Sequence, residues 1–302
     1  MLGHFFRGMA MGAADIVPGV SGGTIALLTG IYSRLVHAIK SIGIDTLKTW
    51  HKRGIAAAWQ QIDGSFLLVL LSGMATSILL LAQIIHYCLE QFPIFVWSLF
   101  FGLVLASAIY IMRPIKWYRP QYLFLCFVGI VVAASISVIT PTQVNPSAFI
   151  IIGSGALAIC AMILPGISGS FILLLLGMYS VIIAAVKALE LSTLALFAVG
   201  CIVGIMMFSR VLAWLLDRFH DATMMLLSGF MLGALAKLWP WREVLSTRVN
   251  SEGKIIPLSE WPVAPWLVET PQITVAIIAC ILGMGIVLSM AIAQKRTKLA
   301  AK

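Results

Sequence analysis

The sequence predicts an all-α polytopic membrane protein built as an inverted repeat, each half a broken or re-entrant helical hairpin followed by three transmembrane helices. Three observations lead there. Of 302 residues, 61% are hydrophobic and only 10% are charged, with a mean hydropathy of +1.04. Soluble domains carry about 25% charged residues, so a soluble enzyme and a disordered chain are both excluded. Apolar runs long enough to cross a bilayer recur along the chain, and one Pro-Gly-x-Ser-Gly motif occurs twice at corresponding places.

Taken in order, residues 3–17 are apolar but short. At 1.5 Å per residue they reach about 22 Å, less than the roughly 30 Å hydrocarbon core. Asp15 and Pro18 interrupt the stretch, so it is not read as a removed signal peptide. It ends at Pro18-Gly19-Val20-Ser21-Gly22-Gly23, and a second apolar limb runs to about Ile39, completing a hairpin over 3–39. A polar, basic stretch follows Lys40. Spans are then expected at 65–89, 94–112 and 122–139, closing a first repeat over 1–140. The second repeat covers 147–293. Its hairpin, 147–186, turns at Pro165-Gly166-Ile167-Ser168-Gly169-Ser170, and its spans are 191–216, 222–238 and 273–293. A Trp- and Pro-rich segment, 240–272, is expected as an extracytoplasmic loop within one membrane domain.

The repeat rests on two offsets. A shift of 147 superimposes the two motifs and aligns Gly30 with Gly177 and Tyr32 with Tyr179; a shift of 127 aligns Gly73 with Gly200, Phe92 with Phe219 and Gly102 with Gly229. The difference between the shifts is the basic stretch after Lys40, present in the first half alone. A hairpin returns to its starting side and three spans reverse it, so the second copy is upside down, as in many secondary transporters. With the N-terminus inside, 15 of the 20 Lys and Arg residues fall on the inner side, in keeping with the positive-inside rule. Both termini are therefore expected in the cytoplasm.

The net charge of +9 flanks apolar spans, so it is read as topology and lipid contact rather than nucleic-acid binding. Cys88, Cys126, Cys160, Cys201 and Cys280 lie in or beside apolar runs without a CxxC pair or zinc spacing, and are read as packing residues; no metal or cofactor is indicated. Gly200-x-x-x-Gly204 and Gly229-x-x-x-Gly233 are read as close helix contacts. The sequence leaves a homo-oligomer open.

The doubled motif carries the chemistry. Pro blocks helix continuation, Gly permits a left-handed backbone, and Ser is a favoured N-cap for the limb that follows. Broken backbone at membrane depth is tolerated against protein or a watery cavity. Two such breaks entering from opposite leaflets would aim helix N-terminal amides at a common point, which suits an anion. The alternative is a pair of tight turns at the membrane surface. The candidate binding residues are Pro18, Gly19, Ser21, Gly22, Gly23 and Thr24 at the first tip and Pro165, Gly166, Ser168, Gly169 and Ser170 at the second. Arg34 or Arg210 is added because helix ends alone do not compensate a buried anion. Asp15, three residues before the first tip, is the candidate for a coupling proton or for a pair with Arg34; an intramembrane carboxylate is a functional candidate by default.

The runs PGVSGGTIALLTGIYSRL and PGISGSFILLLLGMYSVI resemble the polyprenyl-phosphate transporter family, formerly a bacterial membrane domain of unknown function. The similarity extends over nearly the whole chain. It implies a protein of the bacterial cytoplasmic membrane that returns undecaprenyl phosphate from the outer to the inner leaflet for cell-envelope synthesis. Its partners would be that lipid and the surrounding membrane lipids, and it would not be an enzyme. Two rival readings are an undecaprenyl-diphosphate phosphatase, which would want a carboxylate pair that the preceding limb lacks, and a transporter of a soluble anion.

Overall fold

The computed structural model of the chain describes residues 1–17, 20–139, 144–249 and 255–300. The first hairpin is three helices rather than two: α1 (Leu2–Ile16), α2 (Gly22–Leu28) and α3 (Tyr32–Lys40). Two short helices follow, α4 (Ile44–Arg53) and α5 (Ile55–Gln61), then three long ones, α6 (Gly64–Gln91), α7 (Pro93–Met112) and α8 (Pro120–Val138). The same succession recurs as α9 (Ala148–Ile163), α10 (Gly169–Leu175), α11 (Tyr179–Ala188), α12 (Leu191–Arg218), α13 (His220–Leu238) and α14 (Ile273–Ala300). Between α13 and α14 lie two antiparallel strands, β1 (Arg242–Val249) and β2 (Ile255–Pro262). Six helices, α6, α7, α8, α12, α13 and α14, are long and apolar enough to cross a membrane, so the chain is a multi-pass membrane protein.

The offsets of 147 and 127 carry element boundaries as well as residues: α2 maps onto α10 and α6 onto α12 without adjustment. Backbone conformation repeats too. Val17 and Leu164, each preceding a proline, are extended, as a residue before proline must be. Gly30 and Gly177 both have φ of 69°. At each, a six-to-one hydrogen bond, Ile31 to Ala26 at 3.0 Å and Met178 to Leu173 at 2.9 Å, closes a Schellman turn that only glycine forms without strain.

That turn corrects the expected continuous limb after each tip. The limb lasts seven residues, about 10 Å, and is then broken; α10 and α11 are bent by 107° at the Gly177 turn. Two further expectations change. The basic stretch after Lys40 is helical: α4 exposes Ile44, Leu47 and Trp50 beside Lys48 and Lys52, the pattern of a surface helix, and Trp59 of α5 donates to Ser65 at 3.0 Å. The segment 240–272 contains the β-hairpin, so the fold is all-α but for this one element among the described residues. The long helices begin within two residues of the expected span starts, and α14 runs on to Ala300, beyond 293.

The bundle is held by helix backbones in close approach. α1 runs alongside α6, with Gly8 against Leu70, Gly12 against Met74 and Gly73 against Phe5. α9 and α12 repeat this, with Gly200 against Ile152 and Gly204 against Ala156. Cys160 and Cys201 seal that pair, their thiols directed at the carbonyls of Gly204 and Gly155 at 3.6 and 3.5 Å. The last span of each half packs on the middle span of the other: α14 on α7 through Gly102 and Gly283, α8 on α13 through Gly129, Gly229 and Gly233. A β-carbon at any of these glycines would strike a backbone atom of the facing helix. Gly200→Val and Gly102→Val are therefore each expected to destabilise the bundle by about 1–3 kcal/mol, seen as a lower unfolding midpoint of the purified protein. Gly153, in α9, has nothing within 4 Å of an added β-carbon. Gly153→Ala is expected to leave that midpoint unchanged or raise it.

Candidate functional site

Each break sits inside the bundle. Gly8 lies at the level of Leu70 and α1 runs parallel to α6, so the end of α1 comes roughly halfway along the 28-residue α6 or a little beyond. At the first tip Ser21 is extended and caps α2: its Oγ accepts from the Gly23 amide at 3.1 Å and donates to the carbonyl of Met162 at 3.3 Å. The Gly22 amide donates to Asp15 Oδ1 at 2.6 Å. Pro18 and Gly19 lie outside the described residues. Backbone leaves no room for a side chain at Gly23, and at Gly22 one would displace the Asp15 carboxylate. A β-carbon on Gly22 would sit 2.7 Å from Asp15 Oδ2, and one on Gly23 would sit 2.7 Å from the carbonyl oxygen of Ile163.

The two tips meet. Ser21 and Gly23 lie against Met162, Ile163 and Pro165, and Tyr32, fully buried, donates its hydroxyl to the Ile163 carbonyl at 3.1 Å. The last carbonyls of α9 have no partner of their own along the helix. Side chains of the first hairpin supply one to Met162 and one to Ile163. Tyr32 was not among the sequence candidates, though the aligned Gly-x-Tyr pairs were its signal.

The second tip is built differently. Gly166, at φ 82°, packs on α13, where a β-carbon would sit 2.8 Å from the Phe230 carbonyl oxygen. Ser168 makes no side-chain cap; its Oγ lies 2.9 Å from that of Ser170, which is exposed. Gly169 is pressed against the Ala158 carbonyl. The first tip is thus sealed, with Ser21 1% exposed, whereas the second presents two hydroxyls. Unpaired amides at both tips were expected. At α2, Asp15 and Ser21 already hold the Gly22 and Gly23 amides, and the Thr24 amide bonds the Ser21 carbonyl at 2.9 Å. The hydroxyl of Thr24 is buried with no hydrogen-bond partner among the described residues, an arrangement that costs about 1–3 kcal/mol.

Neither arginine is directed at the tip contact. Arg34 makes a two-pronged pair with Asp63, Nε to Oδ2 at 2.6 Å and Nη2 to Oδ1 at 3.0 Å, lies 4.3 Å above the Phe66 ring and contacts His4 at 3.1 Å. His4 is eleven residues before Asp15 on α1, roughly 16 Å along the helix, so Asp15 is not paired with Arg34. Arg210 is exposed; it turns back to the Met206 carbonyl and lies against Gly43 between α3 and α4. At the same end His37 and Lys40 reach Asp217 at 2.9 and 3.9 Å, tying α3 to α12. Among the described residues no group of three or more His, Cys, Asp or Glu could hold a metal ion.

Two broken helices thus meet within the bundle of apolar spans of a multi-pass membrane protein. The chain belongs to the family described as undecaprenyl phosphate translocase-like, whose model matches residues 11–256, a family of transporters rather than enzymes. It is 46% identical over 269 residues to a polyprenyl-phosphate transporter of Vibrio cholerae serotype O1, covering 89% of this chain and 87% of that one. It is 29% identical over 256 residues to a polyprenyl-phosphate transporter of Staphylococcus aureus, covering 78% and 86%. No solved structure matches the chain.

The Arg34–Asp63 pair fixes where α3 returns to the start of α6, and its pH dependence follows from sign. The Arg34 hydrogen bonds hold the Asp63 carboxyl below the usual carboxylate range. The pair therefore stabilises the fold above that range and is lost as pH falls through the lowered value. Both groups are largely exposed, so about 0.2–1 kcal/mol is expected. Asp63→Asn should lower the unfolding midpoint slightly at neutral pH and flatten its decline between about pH 5 and pH 3.

Proposed function

We propose that this chain is a translocase of the bacterial cytoplasmic membrane that carries the phosphate head of undecaprenyl or another polyprenyl phosphate from the outer to the inner leaflet. The polyprenyl tail stays in lipid while the head crosses at the breaks in the two hairpins. The observation that carries this reading is the contact of Ser21 and Gly23 with Met162, Ile163 and Pro165, which brings both breaks to one place inside the bundle. The names of the relatives supply the substrate class.

The two repeats, 1–140 and 147–293, are read as inverted. Helix directions support this. α6 and α7, and likewise α12 and α13, are joined by single residues, Phe92 and Phe219, and so run antiparallel. The start of α7 meets the end of α13 where Phe101 packs on Trp239 and Trp97 on Arg242. α7 therefore opposes α13, and α6 opposes α12. The end carrying Arg34, Lys40, Lys48, Arg113 and Arg218 is assigned to the cytoplasm, with both termini, on the positive-inside rule.

At the site, Ser168 and Ser170 offer hydroxyls to the phosphate oxygens, and Thr24 keeps one buried hydroxyl in reserve beside the tip contact. Asp15 is the coupling group. Its carboxylate occupies the Gly22 amide that an anion would use, so a proton on Asp15 and a phosphate at that amide favour one another. Coupling serves the energetics: moving one negative charge inward against an inside-negative potential costs about 2.3 kcal/mol per 100 mV.

The test is a leaflet assay with purified protein in liposomes and labelled polyprenyl phosphate. Ser168→Leu is expected to slow translocation at least tenfold while the protein still folds. Asp15→Asn is expected to abolish the dependence of rate on pH. Wild-type protein that leaves the label in its original leaflet would sink the reading, and an Asp15→Asn rate that still follows pH would sink the role of Asp15.

A further inference from the structure

At the β-hairpin end, away from the basic end, lies a cluster of charges outside the path described so far. Glu260 of β2 sits between two cations, 3.2 Å from Lys237 Nζ and 2.8 Å from Arg242 Nη1. Burial pushes the Glu260 carboxyl up, but Arg242 and Lys237 outweigh burial and hold it below the usual carboxylate range, so it is ionised. Among the described residues, two positive charges and one negative leave the cluster with one positive charge in excess. Glu243, the next residue on β1, is exposed and, by strand alternation, on the other face.

Arg242 is the unusual member. Its side chain is 9% exposed, its Nε donates to the Trp239 carbonyl at 2.9 Å, and its guanidinium carbon lies 3.8 Å from the Trp97 ring centre. Its Nη2 is buried and has no hydrogen-bond partner among the described residues. A guanidinium offers five N–H donors. This one retains an unused donor edge as well as an excess charge. Lys237, 24% exposed, is the open side of the cluster.

The cluster adjoins the second tip. Lys237 Nζ lies 5.5 Å from the ring centre of Phe171, which follows Ser170 in α10. Gly166 touches Phe230 of α13, seven residues before Lys237, so about 10 Å of helix separates cluster from tip. Trp97, Phe101 and Trp239 provide apolar walls beside the charges.

We propose that Lys237 and Arg242 form a receiving site for a phosphate monoester at this end of the bundle. The phosphate displaces Glu260 from Lys237, takes the free edge of Arg242 in the two-pronged manner suited to guanidinium, and passes to Ser168 and Ser170. The inference rests on the transport reading above and names where the headgroup is first held. The same chemistry would bind free inorganic phosphate.

Trp97, against Arg242, is one of nine tryptophans whose summed fluorescence reads the test. The full chain in detergent is titrated with farnesyl phosphate, farnesol and inorganic phosphate while tryptophan fluorescence is followed. Farnesyl phosphate is expected to quench, and farnesol is not. Lys237→Gln should weaken farnesyl phosphate binding at least tenfold, Lys237→Arg should retain it, and Glu260→Gln should tighten it several-fold by removing the competing carboxylate. Lys237→Gln binding like wild type, or Glu260→Gln weakening binding as much as Lys237→Gln does, overturns the site. Inorganic phosphate binding as tightly as farnesyl phosphate overturns its assignment to a lipid head. Liposome translocation separates the two readings. If wild type and Lys237→Gln move the lipid equally, this site fails and the transport reading stands; if wild type moves none, the transport reading fails and the titration still decides whether the cluster binds phosphate.

Discussion

The architecture depends on how broken backbone is satisfied where water is scarce. A helix interrupted inside a membrane bundle leaves amides and carbonyls whose burial without partners is costly. Here the first hairpin supplies the partners for both interruptions. Ser21 and Tyr32 of the first hairpin donate to Met162 and Ile163, the last carbonyls of α9. Asp15 and Ser21 take the first amides of α2. Remove the second hairpin and the first loses the surface that its glycines are shaped to meet.

The rest of the bundle positions that contact. Glycines let α1 lie on α6 and α9 on α12 with backbones touching, which fixes how deep each break reaches. The exchange of α8 and α14 between the halves locks α7 and α13 at the centre. At one end the Arg34–Asp63 ion pair and the His37–Asp217 hydrogen bond then return α3 to the two long helices α6 and α12. In a bilayer there is no hydrophobic drive between helices, so close packing of this kind supplies much of the cohesion.

Duplicated elements have not kept equivalent roles. Ser21 is buried and caps its helix, whereas Ser168 is turned toward Ser170 and leaves its helix uncapped. Asp15 is matched by Met162, which contributes a carbonyl instead of a carboxylate. One half therefore supplies a sealed, carboxyl-bearing tip and the other an open, hydroxyl-bearing one.

The sequence by itself determined the spans, the two breaks and their repetition. These are local properties: an apolar run of span length, a proline that ends a helix and a glycine that turns one act through their own neighbours in the chain. It also contained the seven-residue limbs, because Gly30 and Gly177 each precede the aligned tyrosines, but the apolar run on either side of each glycine masked the turn. The tertiary structure alone decided where charged and polar side chains go. Arg34 reaches Asp63 across 29 residues, Ser21 reaches Met162 across 141, and Lys237, Arg242 and Glu260 converge through a β-hairpin hidden in a polar segment. Long side chains choose partners by distance in space, and that distance is set by helix packing that no local pattern encodes.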